Sequence, residues 1–202
     1  MVGSSKPGFF LEQPIEDFTN GMTLNYFGTL NSIKATTTSM IRNAVKDARV
    51  VMVSSTLGLM GMIGYSQYSP TKFALRGLAE CLRQELLPYG IKVSIYFVST
   101  IASPGYEKEN LTKPAITKAI EDGDPSDPSP SARAKTLIRG KATNEACIYS
   151  VGLERNQFFI TSDIITDVFR VMASGLSPWN HPWDSVLHAI GQVNHETKTI
   201  SH

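Results

Sequence analysis

The sequence predicts an α/β chain built on a parallel sheet. Three short apolar runs read as strands, near residues 49–54, 92–98 and 157–161. Segments with helical spacing of apolar residues alternate with them. An order of helix, strand, helix, strand, helix, strand requires crossover connections, which are right-handed in such sheets. The composition permits it: 42% of the 202 residues are hydrophobic and 18% charged, which excludes disorder throughout.

Met1 to Pro14 reads as loop. A short amphipathic stretch follows, then a helix from Met22 to Ile41. The first strand, Arg49 to Ser54, carries the run Val50-Val51-Met52-Val53 and reads as buried. Glycines follow at 58, 61 and 64. The clearest element is the next helix, where Leu75, Leu78, Ala79, Leu82 and Leu86 fall on one face. Pro88 and Gly90 stop it. Lys92 to Val98 is the second strand. Ser103 to Ser131 is rich in Pro, Gly, Asp and Lys and reads as a long irregular excursion, of the kind that serves as a lid or binding loop. A weaker helix, Ala132 to Lys141, and a third strand, Gln157 to Thr161, complete the pattern. The tail beyond Pro178 is mixed, and Asn194 to His202 reads as solvated.

A net charge of +1 gives no argument for a nucleic-acid partner. Cys81 and Cys147 read as reduced thiols of a cytosol-facing protein. The start Met-Val-Gly-Ser-Ser has neither a basic region nor an apolar run of the secretory kind. No stretch approaches the roughly 18 apolar residues of a membrane span.

The chemistry centres on Tyr68 and Lys72. Four residues apart on a helix, they share one face. A phenol is a poor acid or base near neutral pH, and an adjacent ammonium is expected to lower its pKa. Pro70 lies between them, so the helix should begin near Tyr68, at the mouth of the strand ends. Tyr-x-x-x-Lys alone is weak evidence in a chain with seven tyrosines. Its surroundings strengthen it: Ser54-Ser55-x-x-Gly58-x-x-Gly61 ends the preceding strand, and Asn25 lies in the helix before that. Ligands bind at strand ends in open α/β sheets.

This combination resembles the short-chain dehydrogenase/reductase family. The resemblance implies the C-terminal part of a Rossmann-type doubly wound parallel sheet, a three-layer α/β/α arrangement. It implies a catalytic set of Asn25, Ser55, Tyr68 and Lys72. Tyr68 would be the general acid for reduction. Lys72 would lower its pKa and hold the nicotinamide ribose, Ser55 would bond the substrate carbonyl, and Asn25 would anchor a relay water. Tyr68, Lys72, Ser103 and Gly3 would contact the cofactor. Only about three strands and no Gly-rich turn are legible; Gly58, Gly61 and Gly64 have the wrong spacing for one. The chain is therefore expected to begin partway through the fold, as a single N-terminally shortened domain over 1–202.

Ser103-Pro-Gly-Tyr-Glu-Lys-Glu-Asn-Leu-Thr-Lys-Pro114 narrows the resemblance to the 3-ketodihydrosphingosine reductase branch, as does the stretch from Tyr68 to Glu80. That branch implies NADPH, a long-chain keto-sphingoid base, sphingolipid metabolism, the cytosolic face of the endoplasmic reticulum membrane, and a homo-oligomer. Met60, Met62 and Ile63 would meet the acyl-like chain. Val98-Ser99 departs from the family's Pro or Pro-Gly, no acid stands in Thr100-Ile101-Ala102, and Ser103 replaces a threonine. A reductase of steroids or retinoids and a catalytically silent dimerisation module are the competing readings.

His181, His188, His195 and His202 recur every seven residues, too far apart along a helix to share a metal. No metal site is expected. Trp179 and Trp183 read as packing against the sheet edge, ahead of a membrane-interface role. Lys108, Lys113 and Lys118 read as solvated lid residues.

Overall fold

The computed structural model describes residues 3–100, 104–122 and 149–173. β-Branched and aromatic side chains crowd the three apolar runs, and they pack well on a pleated surface. The strands are β1 (Arg49–Ser55), β2 (Lys92–Val98) and β3 (Phe159–Thr161). They form a parallel sheet in the order β1-β2-β3. The register runs from Arg49 opposite Lys92 to Ser55 opposite Val98, so both strands end at one level.

Helical backbone precedes β1. α1 (Ile15–Gly21) passes through a π-helical turn, Met22–Phe27, into α2 (Gly28–Arg42). The helix expected to begin at Met22 thus begins a full two turns earlier. A π turn shifts the residues after it around the helix, and such turns recur at functional sites; this one contains Asn25, which is buried.

α3 (Ser69–Glu85) links β1 to β2. Tyr68 is its N-cap and Pro70 lies in its first turn, where a missing N–H removes no helix bond. Leu75 and Ala79 are fully buried, Leu86 nearly so, and Leu78 and Leu82 pack against the core at its margin. Met52, Ile95 and Phe97 meet them from the sheet. Cys81, on the other side of this helix, is exposed.

The irregular excursion expected over 103–131 is corrected where it is described. Residues 104–122 form two helices, α4 (Pro104–Thr112) and α5 (Ala115–Asp122). Pro104 opens α4 and Pro114 immediately precedes α5. Proline is at ease at a helix start, so both mark beginnings where the composition suggested breaks. Ser103, residues 123–131, the helix expected at 132–141, Cys147, Trp179, Trp183 and the four histidines lie outside the described residues. After a helical stretch at 149–154 and β3, the chain forms α6 (Ile164–Ala173), a helix the sequence reading does not include. Asp163 caps it, accepting from the Thr166 N–H at 2.8 Å.

β1 is also less buried than its continuous apolar run suggests. Its even-numbered residues are buried and its odd-numbered ones half-buried. The strand lines a cleft of about 2310 Å³ that α2, the β1–α3 turn and α4 also border.

Candidate active site

Ser55 is the last residue of β1, and its hydroxyl accepts from the Leu57 N–H at 3.2 Å, which caps the short turn Thr56–Gly58. That turn packs directly on α3. A Cβ on Gly58 would stand 2.4 Å from Ser54 Oγ and 3.0 Å from the Lys72 carbonyl oxygen. Only glycine admits this approach. Ser69 Oγ donates to the Leu57 carbonyl at 2.6 Å and ties the helix start to the same turn. Gly61 has open space around its Cβ direction and makes no such approach.

These contacts bring Ser55, Tyr68 and Lys72 together at the C-terminal end of β1, beside the cleft. The Ser55 hydroxyl hydrogen-bonds the Tyr68 phenol. Lys72 Nζ lies 5.4 Å from the Tyr68 ring centroid and donates to the Val53 carbonyl at 3.3 Å. That is its single hydrogen bond among the described residues, so an ammonium with three donors keeps capacity toward the cleft.

The electrostatics correct one expectation. Lys72 does not hold the phenol below its ordinary pKa. Burial, and then the negative charge of Glu109, push Tyr68 above it; the Ser55 bond opposes them without prevailing. Burial also lowers Lys72 to about 8, still above neutral, so it remains mostly an ammonium there. Tyr68 is therefore a phenol with a proton to give.

Asn25 lies beneath this group with its amide fully engaged. Its Nδ2 donates to the Ser4 carbonyl at 2.9 Å and to Thr71 Oγ1 at 3.1 Å, and its Oδ1 accepts from the Ser4 N–H at 2.9 Å. The side chain is thus a clamp between the N-terminal segment and α3. Gly3 borders the same cleft, and a Cβ there would come within 3.2 Å of Asn25 Oδ1.

A second polar group adjoins the first. The Tyr65 hydroxyl lies in hydrogen-bond contact with Glu109 Oε1 and, at 2.6 Å, with Glu121 Oε1. Lys113 Nζ contacts Glu121 Oε2 and lies 3.3 Å from Glu109 Oε1. The Tyr65 and Tyr68 ring centroids are 6.1 Å apart. Lys113 is 4% exposed, which corrects the reading of it as a solvated lid residue. The signal was present: Glu109 and Lys113 are four apart, a helical ion-pair spacing. Burial alone would depress Lys113, but its contacts with Glu121 and Glu109 outweigh that and hold it above the ordinary lysine value. Tyr65 is raised by burial and by the same carboxylates.

The arrangement can donate two hydrogen bonds, from a serine and a tyrosine hydroxyl, to one oxygen at the edge of a cleft. Comparison with known proteins bears on this geometry. A family model described as short chain dehydrogenase matches residues 1–114. A 3-ketodihydrosphingosine reductase of Dictyostelium discoideum is 40% identical over 188 residues, covering 93% of this chain and 52% of the relative. A 3-dehydrosphinganine reductase of Danio rerio is 39% identical over 146 residues, covering 71% and 43%. The chain spans about half the length of the curated relatives it matches. Among solved structures, a short-chain dehydrogenase/reductase of Burkholderia phymatum in complex with NAD superposes with a TM-score of 0.66 at 18% identity, covering 89% of this chain and 66% of that one. A short-chain dehydrogenase of Sphingobium yanoikuyae in complex with NADPH gives 0.63, also at 18% identity, covering 89% and 63%.

Proposed function

The chain belongs to the short-chain dehydrogenase family, and from that premise we propose that it carries the catalytic group of an NADPH-dependent reductase. The reaction is the conversion of 3-ketodihydrosphingosine to dihydrosphingosine in sphingolipid biosynthesis. The observation that carries the reading is the convergence of Ser55, Tyr68 and Lys72 at one strand end, with Tyr68 kept protonated. The names of the relatives support the substrate.

In this reading the substrate carbonyl oxygen takes the place beside Ser55 Oγ and the Tyr68 hydroxyl. Ser55 donates a hydrogen bond to it, and Tyr68 gives up its proton as negative charge develops on that oxygen. NADPH, when bound, supplies the hydride. The residues fit such a cofactor at the strand end: Lys72 has unused donors of the kind that hold ribose hydroxyls. Gly3 borders the cleft, and Ser103 is assigned the carboxamide contact. Asn25 is assigned a part in the proton relay; its amide is committed to Ser4 and Thr71, and its backbone carbonyl accepts from Thr29 Oγ1 at 2.8 Å.

Met60 and Met62 border the cleft, and Met62 and Ile63 also line an apolar hollow of about 570 Å³ with Phe9, Phe10 and Phe73. The aliphatic chain of the substrate is assigned to this route, under a lid formed by α4 and α5. We place the protein at the cytosolic face of the endoplasmic reticulum membrane, in contact with the lipid surface. Exposed Phe10 and Leu11 support that contact, and no described helix is long and apolar enough to cross a membrane. A homo-oligomer pairing through α2 and α3 is part of the reading, supported by exposed Ile41 on α2 and Phe27 just before it.

The test is NADPH oxidation by the purified protein with 3-ketodihydrosphingosine and, in parallel, with a steroid ketone. Turnover of the sphingoid ketone alone supports the reading. Preference for the steroid assigns the site to another substrate, and absence of turnover on either removes the reductase reading.

A further inference from the structure

Glu109 has a feature that the catalytic assignment leaves unused. Its Oε1 is taken by Tyr65 and Lys113. Its Oε2 has no hydrogen-bond partner among the described residues, and the side chain remains 20% exposed at the cleft that also holds Tyr68 and Ser55. Charge does not balance here either. One ammonium, Lys113, serves the two carboxylates of Glu109 and Glu121, and Tyr65 stays neutral. Its single hydroxyl proton can serve only one of them at a time. One negative charge is left over in this group, and Glu109 Oε2 is its one carboxylate oxygen without a partner among the described residues.

We propose that Glu109 is the specificity-determining residue of the site, its Oε2 receiving the ammonium group of a long-chain 2-amino ketone whose carbonyl oxygen lies at Tyr68 and Ser55. The inference rests on the reductase reading and sharpens it, naming what separates a sphingoid base from other long-chain ketones. An amine on the carbon next to the carbonyl lies beside the reacting oxygen, and α4 sets Glu109 beside Tyr68. A bare carboxylate also penalises competitors: a ketone without the amine leaves that charge unpaired in a partly desolvated place. The amine has a second effect. Glu109 charge raises Tyr68, so an ammonium that offsets it makes the phenol a readier proton donor once the correct substrate is in place.

Binding tests the idea independently of turnover. The probes are dihydrosphingosine and the 1,3-diol of equal chain length lacking the amine, each titrated into the protein with NADP present. Wild type should bind the amine about tenfold or more tightly, the scale of a charge-assisted hydrogen bond. Glu109→Gln should bring the two affinities within about twofold. Glu107→Gln, on an exposed carboxylate of the same helix, should keep the preference. Equal binding of the two probes by wild type overturns the inference and needs no variant to fold; so does a preference that survives Glu109→Gln. If both probes bind equally but the ketone is reduced, the reductase reading stands without this residue. If the amine preference holds and no ketone is reduced, the ammonium subsite stands and the reductase reading falls.

Discussion

Two lysines are buried here, Lys72 lining the cleft and Lys113 behind the Glu109 and Glu121 that line it, and they are in opposite electrostatic states. Lys72 is 9% exposed and Lys113 is 4% exposed. Lys72 has one carbonyl and an aromatic ring for company, and burial lowers it to about 8. Lys113 has two carboxylates and is held above the ordinary lysine value. Exclusion from solvent alone therefore does not set the chemistry of either lysine; the partner decides the sign. The first lysine is an ammonium left with donors to spend on a ligand. The second is spent already, on fastening α4 and α5 to the segment that precedes α3.

Substitutions can break this contrast. The largest effect is expected on the catalytic side. Tyr68→Phe should lower the rate of the proposed reduction about 10³-fold or more while cofactor binding changes only a few-fold, because proton delivery by a placed acid is worth about 10²–10⁴. Single-turnover NADPH oxidation with a parallel cofactor titration checks it.

On the fastening side the effect is on stability. Lys113→Met leaves Glu109 and Glu121 facing each other without their cation, and should cost about 3–4 kcal/mol in urea unfolding. Lys72→Met should cost far less or add stability, since it removes a buried ammonium that lacks a carboxylate. Equal losses at the two positions would end the contrast.

The pH dependence of stability has opposite signs at the two sites. Lys72 folded has a value near 8, below its ordinary 10.5, so between these pH values the unfolded chain holds the proton and the folded chain does not. Stability then rises with pH across that window, by on the order of 3 kcal/mol. Lys113 folded is raised, so its contribution is complete below the ordinary lysine value and is lost as pH climbs through the folded one. Between pH 8 and 10.5 the urea midpoint of wild type should rise relative to that of Lys72→Met.

The smallest effect is expected at Glu121→Gln, which keeps hydrogen-bonding capacity and removes one charge while Glu109 still pairs Lys113. About 1–2 kcal/mol of stability should go, read from the same unfolding curves.

The sequence by itself determined the helix–strand alternation, the start of α3 at Tyr68, and the grouping of Ser55, Tyr68 and Lys72. Each is written in local terms: apolar spacing for the core face of α3, Pro70 for its first turn, Ser55 at the end of an apolar run. The small-residue turn at Gly58 was legible as well, although its reason, contact with the Lys72 backbone, was not. Tertiary structure alone decided the helices α4 and α5, the clamp role of Asn25, and the burial of Lys113. Proline and glycine counts cannot tell a helix start from a break. A polar side chain at a given spacing does not disclose what faces it from 40 residues away. The same limit governed the pKa of Tyr68. A four-residue spacing put an ammonium beside the phenol, but burial and Glu109, brought in from α4, set the sign. Long-range electrostatics depends on which surfaces the fold closes against one another, and that is a property of the folded chain and not of any segment of it.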